Sequence, residues 1–172
     1  MGQSTVHDSR EDYDYVLFHE DCLETSRRLP DDSIDLIYMD PPFFSGRSYC
    51  TCEYRFDDRW KGLSDYIGWI TPRLKEFKRI LKDTGTIYVH CDSHVSHYLK
   101  VLADTIFTHK NFLNEIVWKR QSSHNDVRQG SRHFGRVHDS ILVYVMSRKY
   151  VWNQQYVHYD ESYVKRRYRY VE

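Results

Sequence analysis

Glycine is scarce in this chain of 172 residues, and the pattern Gly-x-Gly does not occur in it. The seven glycines stand apart from one another, at positions 2, 46, 62, 68, 85, 130 and 135. Paired glycines let a backbone approach a bound cofactor closely, because they carry no side chain. The sequence therefore excludes a glycine-rich cofactor loop of that kind within these residues.

Cysteine is also scarce, and no Cys-x-x-Cys pair is present. A structural zinc site needs four well-spaced ligands, and a Cys-x-Cys beside distant histidines is weak support for one. We therefore interpret these side chains as reduced thiols and ordinary histidines, and we expect no metal. They are Cys22, Cys50, Cys52, Cys91, His90, His94 and His97.

Long apolar runs are absent, so nothing in the sequence predicts a membrane span. The N-terminal stretch MGQSTVHDSREDYDY has no apolar core and does not resemble a signal peptide. We expect a cytoplasmic protein with no membrane partner, in which residues 1–14 form a flexible leader.

The chain carries no net charge, which would ordinarily argue against a nucleic-acid partner. The charges are unevenly distributed, however. Residues 1–60 contain 6 Lys and Arg against 14 Asp and Glu, and residues 61–172 contain 19 against 11. This asymmetry indicates either a basic surface in the second half or an ordinary dipolar surface.

Apolar periodicity predicts an α/β fold with a mostly parallel sheet and an antiparallel strand pair at its end. Strands are expected near residues 15–19, 34–39, 86–91, 115–119 and 140–146, the last antiparallel to its neighbours. The strand at 34–39 is apolar almost throughout, which is typical of a strand covered on both faces. Helices fill the intervals, whereas residues 44–60 and 121–138 are long polar connections that we expect to be mobile.

The segment DLIYMDPPFFSG, residues 35–46, ends that strand abruptly. Two prolines cannot donate ladder hydrogen bonds, and the residue before a proline avoids helical geometry. Asp40 should therefore be extended at the carboxyl end of a strand, which is where open α/β sheets bind ligands.

The Asp40 carboxylate and the Pro41 carbonyl are two neighbouring acceptors, which suit a group with two N–H bonds such as an exocyclic amine. Holding both protons would free the nitrogen lone pair for attack on an electrophile. Phe43 offers a flat face on which a base can stack. The segment thus indicates an amine-methylation site, or alternatively a tight turn with a capping aspartate.

Several motifs, taken in order, resemble those of the amino-methylating DNA methyltransferases whose Asp-Pro-Pro-Tyr/Phe motif precedes the cofactor motif. They are DCLETSRRLPDDSIDLIYMDPPFFSG, GWITPRLKEFKRILKDTGTIYVHCD, NFLNEIVWKR, HDSILVYVMS and YDESYVKRRYRYVE. The resemblance implies a Rossmann-like S-adenosylmethionine-dependent methyltransferase sheet. Residues 15–150 would be its catalytic-motif part, and residues 151–172 the start of a target-recognition region.

The resemblance also implies roles for individual residues. Asp40 and Pro41 would hold the amine of a flipped base, Pro42 would stiffen the turn and Phe43 would stack on the base. Asp21 and Asp40 would contact S-adenosyl-L-methionine, although Asp21 could equally be a helix cap. Because the motif begins with Asp40 rather than serine, it favours N6 of adenine. N4-cytosine methylation, RNA amine methylation and a non-catalytic remnant that binds nucleic acid or a partner remain alternatives.

The sequence departs from this family in lacking the Phe-x-Gly-x-Gly loop, which follows the recognition region in this arrangement. We therefore expect the N-terminal half of a methyltransferase, with an incomplete cofactor pocket and no activity on its own. Its expected partners are DNA and either a missing C-terminal half or a complementing chain. His90 and Asp92 match a strand-end motif close to the site. The expected DNA-binding residues are Arg47, Arg55, Arg120, Arg128, Arg132 and Arg136.

Overall fold

The computed structural model describes residues 3–7, 14–50, 54–120, 132, 134–156 and 158–167. A π-helical turn at Asp104–Thr108 and a 3₁₀ turn at His109–Asn111 follow the helix Ser96–Ala103 and precede the strand Phe112–Lys119. The elements in chain order are β1 (Gln3–His7), β2 (Asp14–Phe18), α1 (Cys22–Arg28), β3 (Ile34–Met39), β4 (Ser48–Cys50), β5 (Arg55–Asp57), α2 (Leu63–Ile80), β6 (Leu81–Cys91), α3 (Ser96–Ala103), β7 (Phe112–Lys119), β8 (His138–Val145) and α4 (Glu161–Arg167).

A four-stranded mixed sheet in the order β3-β6-β8-β7 forms the centre of the protein. β3 runs parallel to β6, with Met39 opposite Val89. β8 lies between β6 and β7 and is antiparallel to both. The predicted α/β class and the antiparallel orientation of the last strand are therefore confirmed. Because β3 and β6 are parallel, their carboxyl ends lie side by side at the same end of the sheet.

The hydrophobic core lies between this sheet and the helices α2 and α3. α2 carries the predicted apolar stripe, and Tyr66, Ile70 and Leu74 on it are fully buried. They pack in one cluster with Ile87 and Val89 of β6. Each buried aliphatic side chain of this kind contributes about 1.5–3 kcal/mol relative to full exposure. Within the described ranges, no helix is both long and apolar enough to cross a bilayer.

β3 differs from its prediction, because its two faces are not both covered. Leu36 and Tyr38 are 56% and 55% exposed, whereas Met39 is buried. The helices that form the core pack on the opposite face, against the side chains of Ile87 and Val89. An apolar run along a strand indicates that it is suited to burial, but the run does not show what covers the strand.

The N-terminal region also differs from expectation. The sequence predicted a flexible leader over residues 1–14, whereas Gln3–His7 forms a strand antiparallel to Asp14–Phe18. The first predicted strand consequently belongs to a separate two-stranded sheet and not to the central one. A hairpin partner close in sequence satisfies its backbone groups locally.

Residues 44–60 were predicted to be a long mobile connection, and the structure forms a short hairpin there from β4 and β5. The backbone N–H of Asp58 donates to the Arg47 carbonyl at 2.9 Å, and the Gly46 N–H donates to the Asp58 carbonyl at 3.1 Å. These two bonds close the base of the hairpin, so its ends are fixed beside β3. The second predicted mobile segment, 121–138, lies for the most part outside the described residues.

Gly85 is required by close packing at the start of β6. A Cβ added there would lie 2.9 Å from the Lys82 carbonyl oxygen and 2.9 Å from Cδ2 of Leu81. The carbonyl belongs to the backbone and cannot rotate away. We expect Gly85→Ala to lower the free energy of unfolding by about 1–3 kcal/mol, as overpacking does. Urea denaturation followed by circular dichroism measures this loss.

Gly68→Ala is the matched control, because Gly68 lies exposed inside α2 with nothing within 4 Å of an added Cβ. Glycine inside a helix costs about 0.5–1 kcal/mol relative to alanine, so this change should stabilise the protein. Equal effects of the two substitutions would contradict the close-packing argument.

Candidate active site

The acidic motif lies at the carboxyl end of β3, as predicted. Asp40 is exposed immediately after the buried Met39, and Pro41 is buried behind it. The hydroxyl of Tyr66, a fully buried residue of α2, donates to the Pro42 carbonyl oxygen at 2.8 Å. This bond fixes the turn through Pro42 and does not use the carbonyl of Pro41. Both acceptors proposed for an amine thus belong to a rigid segment.

Phe44 has a left-handed backbone, with φ at 58°, which is uncommon for a residue with a side chain. Such strain persists where surrounding contacts outweigh it, and it is frequent at functional sites. Its N–H donates to Oδ1 of Asp58 at 3.0 Å, and the Ser45 N–H donates to Oδ2 at 2.7 Å. One carboxylate therefore holds the turn that follows the motif.

Asp58 is almost completely buried, at 2% exposure. Burial alone would raise the pKa of its carboxyl, but hydrogen bonds from Ser45, Trp60 and Phe44 outweigh this and lower the pKa below its usual range. The carboxylate is therefore ionised at neutral pH. The sequence analysis did not single out Asp58, which lies within an apparently irregular polar segment.

These elements enclose a cavity of about 420 Å³. The structure brings the predicted catalytic segment together there with the predicted DNA-binding residues Arg47, Arg120 and Arg136. The Phe43 ring, which forms part of the wall, lies 5.6 Å from the His90 ring between centroids. The lining residues are Asp40, Pro41, Pro42, Phe43, Ser45, Arg47, Tyr49, Phe56, Asp58, Asp92, His94, Arg120 and Arg136.

Two of the cavity arginines are held by groups at the ends of the central strands. Arg120 forms an ion pair with the buried Asp139, with Nη1 3.2 Å from Oδ1. Arg136 lies with Nη1 3.1 Å from Nε2 of His94. Nδ1 of His94 is in turn 2.7 Å from Oδ2 of Asp92. Because an arginine can only donate, Nε2 of His94 accepts and its Nδ1 carries the proton.

Other predicted DNA-binding residues lie elsewhere. Arg132 is exposed and does not line the cavity. Arg55 lies on the β4–β5 hairpin, 3.7 Å from Asp57. Arg128 lies outside the described residues, so its role stays a prediction.

Asp21 does not reach the cavity in this structure. It is the N-cap of α1, and its side chain accepts from the Leu23 N–H at 2.8 Å. It also pairs with the buried Arg73 of α2. The bond from Leu23, followed by the contact with Arg73, lowers the pKa of this carboxyl despite partial burial. The capping alternative therefore accounts for Asp21, and its contact with a cofactor stays a prediction.

Cys22, Cys50 and Cys91 are free thiols in the described part of the chain. Across the part of the chain that the structure describes, no group of three or more His, Cys, Asp or Glu side chains is placed to hold an ion. Cys91 is buried and free, and burial, followed by the charge of Asp92, raises the pKa of its thiol to about 12. Cys52 lies outside the described residues.

Comparison with known proteins places this site in a family. The DNA methylase family of N6 and N4 methyltransferases matches residues 34–171. The chain is 33% identical over 135 residues to the type II methyltransferase M.EcaI of Enterobacter cloacae, covering 77% of this chain and 29% of the relative. It is 29% identical over 142 residues to the DNA adenine methyltransferase YhdJ of Escherichia coli, covering 80% and 44%. The chain belongs to the DNA methylase family.

The fold agrees with this assignment. The PvuII DNA methyltransferase, described as cytosine-N4-specific, superposes with a TM-score of 0.53 at 19% sequence identity, covering 76% of this chain and 48% of that one. The predicted Rossmann-like methyltransferase sheet is thereby confirmed. The chain spans less than half the length of each of these proteins, so it contains one part of the arrangement that they share.

Proposed function

We propose that this chain is the amine-binding part of a DNA methyltransferase that transfers a methyl group from S-adenosyl-L-methionine to N6 of adenine. The observation that carries the proposal is the position of Asp40, Pro41 and Phe43 at a strand end, in one cavity with Arg47, Arg120 and Arg136. The adenine specificity named for the E. coli relative supports the choice of base. DNA as the substrate implies a cytoplasmic location.

The chemistry follows from the two acceptors. The Asp40 carboxylate and the Pro41 carbonyl accept the two N–H bonds of the exocyclic amine, which turns the nitrogen lone pair out of conjugation with the ring. The nitrogen would then be free to form a bond to the methyl carbon that S-adenosyl-L-methionine would supply, and the electrons of the broken carbon–sulfur bond would stay on the sulfur. The new ammonium loses one proton, and the Asp40 carboxylate is placed to accept it.

The target base must leave the helix before these contacts can form, since its amine is otherwise paired and stacked. Phe43 provides a flat surface in the cavity for the extruded base, and such stacking is worth about 1–3 kcal/mol. His90 supports the other side of the Phe43 ring. The arginines at the cavity would neutralise backbone phosphates next to the flipped nucleotide.

The residues present fit the methyl acceptor better than the methyl donor. When bound, S-adenosyl-L-methionine supplies an electrophilic methyl group, and the family resemblance assigns Asp40 a contact with this donor. No Gly-x-Gly occurs in the 172 residues to receive the adenosyl part. The cofactor pocket therefore needs residues beyond those of this chain.

We expect the 172-residue chain alone to bind S-adenosyl-L-methionine weakly and to transfer no methyl groups. Titration calorimetry measures the affinity directly. Micromolar binding would contradict the assignment of the cofactor loop to other residues, and it would show that a complete pocket lies within this chain.

The free edge of β3 is where we propose that the remaining part of the methyltransferase domain attaches. Among the described residues, β3 pairs on one side only, with β6. An open apolar groove of about 620 Å³ borders this edge and is lined by Leu36, Tyr38 and Phe77, among others. A further strand, from a C-terminal half or a complementing chain, would pair with β3 and cover these side chains.

We assign residues 151–172 to the start of the target-recognition region. α4 carries basic residues in its last turn, Lys165, Arg166 and Arg167. The rings of Tyr159 and Tyr163 stack beside them, 5.3 Å apart between centroids. Basic and aromatic side chains on one short element are typical of nucleic-acid contacts.

Arg47→Ala should weaken DNA binding and make it less sensitive to salt. Arg47 is exposed and borders the cavity. Each phosphate contact contributes about 0.9 to the slope of log K against log salt, so the slope should fall by about that amount. Fluorescence anisotropy with a labelled duplex at several salt concentrations measures it. Arg27→Ala, which removes an arginine paired with Glu24 on α1, should leave the slope unchanged.

The proposed reaction is tested by mass spectrometry of nucleosides. The chain, combined with a cofactor-binding half, is incubated with duplex DNA and S-adenosyl-L-methionine, and the DNA is digested. N6-methyladenine is expected. N4-methylcytosine in the digest would show that cytosine, not adenine, is the target base. Methylation of RNA alone would overturn DNA as the substrate. Absence of any methylated product would favour a non-catalytic protein that only binds nucleic acid or a partner.

A further inference from the structure

A chain of four polar side chains crosses the central sheet beside the cavity. Tyr38 lies on β3, His90 on β6, Asp139 on β8 and Arg120 directly after β7. The Tyr38 hydroxyl is 2.7 Å from Nδ1 of His90, and Nε2 of His90 is 3.3 Å from Oδ2 of Asp139. Nη1 of Arg120 is 3.2 Å from Oδ1 of Asp139.

The four residues, which we term the cross-strand network, follow the spatial order of the strands. The sheet order is β3-β6-β8-β7, and each strand or strand end contributes one member in turn. The members come from positions far apart in sequence, since 49 residues separate His90 from Asp139. Only the assembled sheet brings them into contact.

Hydrogen-bond chemistry gives the network a direction. An ionised Asp139 can only accept, so Nε2 of His90 donates to it. Nδ1 of the neutral imidazole then accepts from the Tyr38 hydroxyl, and Arg120 can only donate. The link from Arg120 to Oδ1 of Asp139 is an ion pair and not a hydrogen bond. The arrangement fixes one tautomer of His90 and one orientation of its ring.

The Asp139 carboxylate is the member of this network whose burial is energetically unfavourable. The Asp139 side chain is 5% exposed. A buried carboxylate destabilises a fold by several kcal/mol unless partners compensate it. His90 contacts Oδ2 of Asp139, whereas Oδ1 has an ion pair with Arg120 but accepts no hydrogen bond. The two contacts share one buried carboxylate, so a change at His90 should affect Arg120 through Asp139.

The network also contacts the proposed base-binding wall. The His90 ring lies 5.6 Å from the Phe43 ring between centroids, at an interplanar angle of 49°. Arg120 at the other end lines the cavity, whereas His90 itself does not. His90 thus contacts the Phe43 ring directly and is linked to Arg120 through Asp139. Because His90 does not line the cavity, it would not contact a bound base.

We propose that His90 is a positioning residue that sets both the orientation of Phe43 and the direction of Arg120. The proposal rests on the proposed function, because the two positioned groups are those assigned to the flipped base and to DNA. The ring of His90 supports Phe43, and its hydrogen bonds hold Asp139 and, through it, Arg120. These two actions use different parts of one side chain and can be separated by mutation.

His90→Phe keeps a ring against Phe43 and removes both hydrogen bonds. We expect KM for DNA to rise about tenfold with kcat within about twofold of wild type, because Arg120 loses its orientation and the stacking ring does not. His90→Gln keeps an amide donor near the position of Nε2, where it can reach Asp139, and removes the ring. We expect kcat to fall about tenfold or more with a smaller change in KM, because the base is then poorly placed.

The assays use the chain combined with a cofactor-binding half, and urea unfolding of each variant shows whether the fold is retained. Opposite effects of the two variants on KM and kcat support positioning. Identical effects, or wild-type kinetics in a folded variant, overturn it. His97→Gln, at an exposed histidine on α3, is the matched control and should behave as wild type.

A measurement on the free protein separates this proposal from the proposed function. Nitrogen NMR of labelled histidine should show His90 with Nε2 protonated and Nδ1 unprotonated, and Tyr38→Phe should shift the Nδ1 signal. A protonated Nδ1 or an unchanged signal would overturn the network itself. If the spectra agree and wild-type protein methylates no nucleic acid, the proposed function fails while the network stands.

Discussion

Asp40→Ala should abolish methyl transfer while leaving DNA affinity nearly unchanged. Asp40 is exposed at the end of β3 and lines the cavity in which we propose that the amine binds. Removing it deprives the nitrogen of one acceptor and of a proton acceptor, and loss of such a group lowers kcat by roughly 10²–10⁴-fold. DNA affinity depends instead on contacts with the backbone. Transfer of labelled methyl groups and anisotropy binding measure the two quantities.

Asp83→Ala is a suitable control for this experiment. Asp83 is an exposed carboxylate near the start of β6, at the end of the sheet away from Asp40, and it pairs at the surface with Lys149. Its removal should change neither rate nor affinity. A large loss of DNA affinity in Asp40→Ala, or measurable transfer at near the wild-type rate, would contradict the assigned role.

Asp58→Asn should cause the largest loss of stability among single substitutions near the site. The carboxylate accepts from Phe44 N–H, Ser45 N–H and Nε1 of Trp60. An amide can accept at one oxygen only, so at least one buried donor loses its partner. Hydrogen bonds to charged groups contribute about 1.5–3 kcal/mol, and we expect a loss of about 2–4 kcal/mol in the free energy of unfolding. Urea denaturation at pH 7 measures it.

The contribution of the Asp58 carboxylate to the free energy of unfolding should also depend on pH. Its pKa is lowered in the folded protein, so its stabilisation is complete above the unfolded value of about 3.9 and is lost as the pH falls through the lower folded value. The difference between wild type and Asp58→Asn should therefore shrink below about pH 4. Asp57→Asn is the control, since Asp57 is half-exposed and pairs with Arg59 at the surface, and it should change stability little. If the difference in the free energy of unfolding between wild type and Asp58→Asn did not change with pH, this would contradict the conclusion that Asp58 is ionised in the folded protein.

The parts of the site that are local in sequence could be predicted from it. Asp40 to Phe43 follow a strand directly, and the prolines restrict the backbone whatever the surroundings. The α/β class and the antiparallel last strand could also be predicted, because alternating strands and helices limit the topologies that a chain can adopt.

The remaining parts depend on contacts between distant segments. Asp58 acts on a turn that begins 14 residues earlier, and Asp139 contacts His90 from the neighbouring strand, 49 residues away in sequence. In the sequence, Arg120 and Arg132 look alike, and only the position of β8 decides which of them meets a buried carboxylate. The open face of β3 could not be predicted either, because apolar periodicity describes a strand and not its neighbours.

The free edge of β3 has a consequence for how this chain behaves in solution. Unpaired backbone N–H and C=O groups on an apolar edge strand are a template for pairing with any other strand, including one from a second copy. A charged residue within such a strand opposes this, and Asp35 is placed in β3 with its carboxylate 2.7 Å from Nζ of Lys82. The edge of β3 to which we propose that the rest of the sheet attaches can thus also promote aggregation. The Asp35–Lys82 ion pair is a charged group at β3 that opposes such pairing.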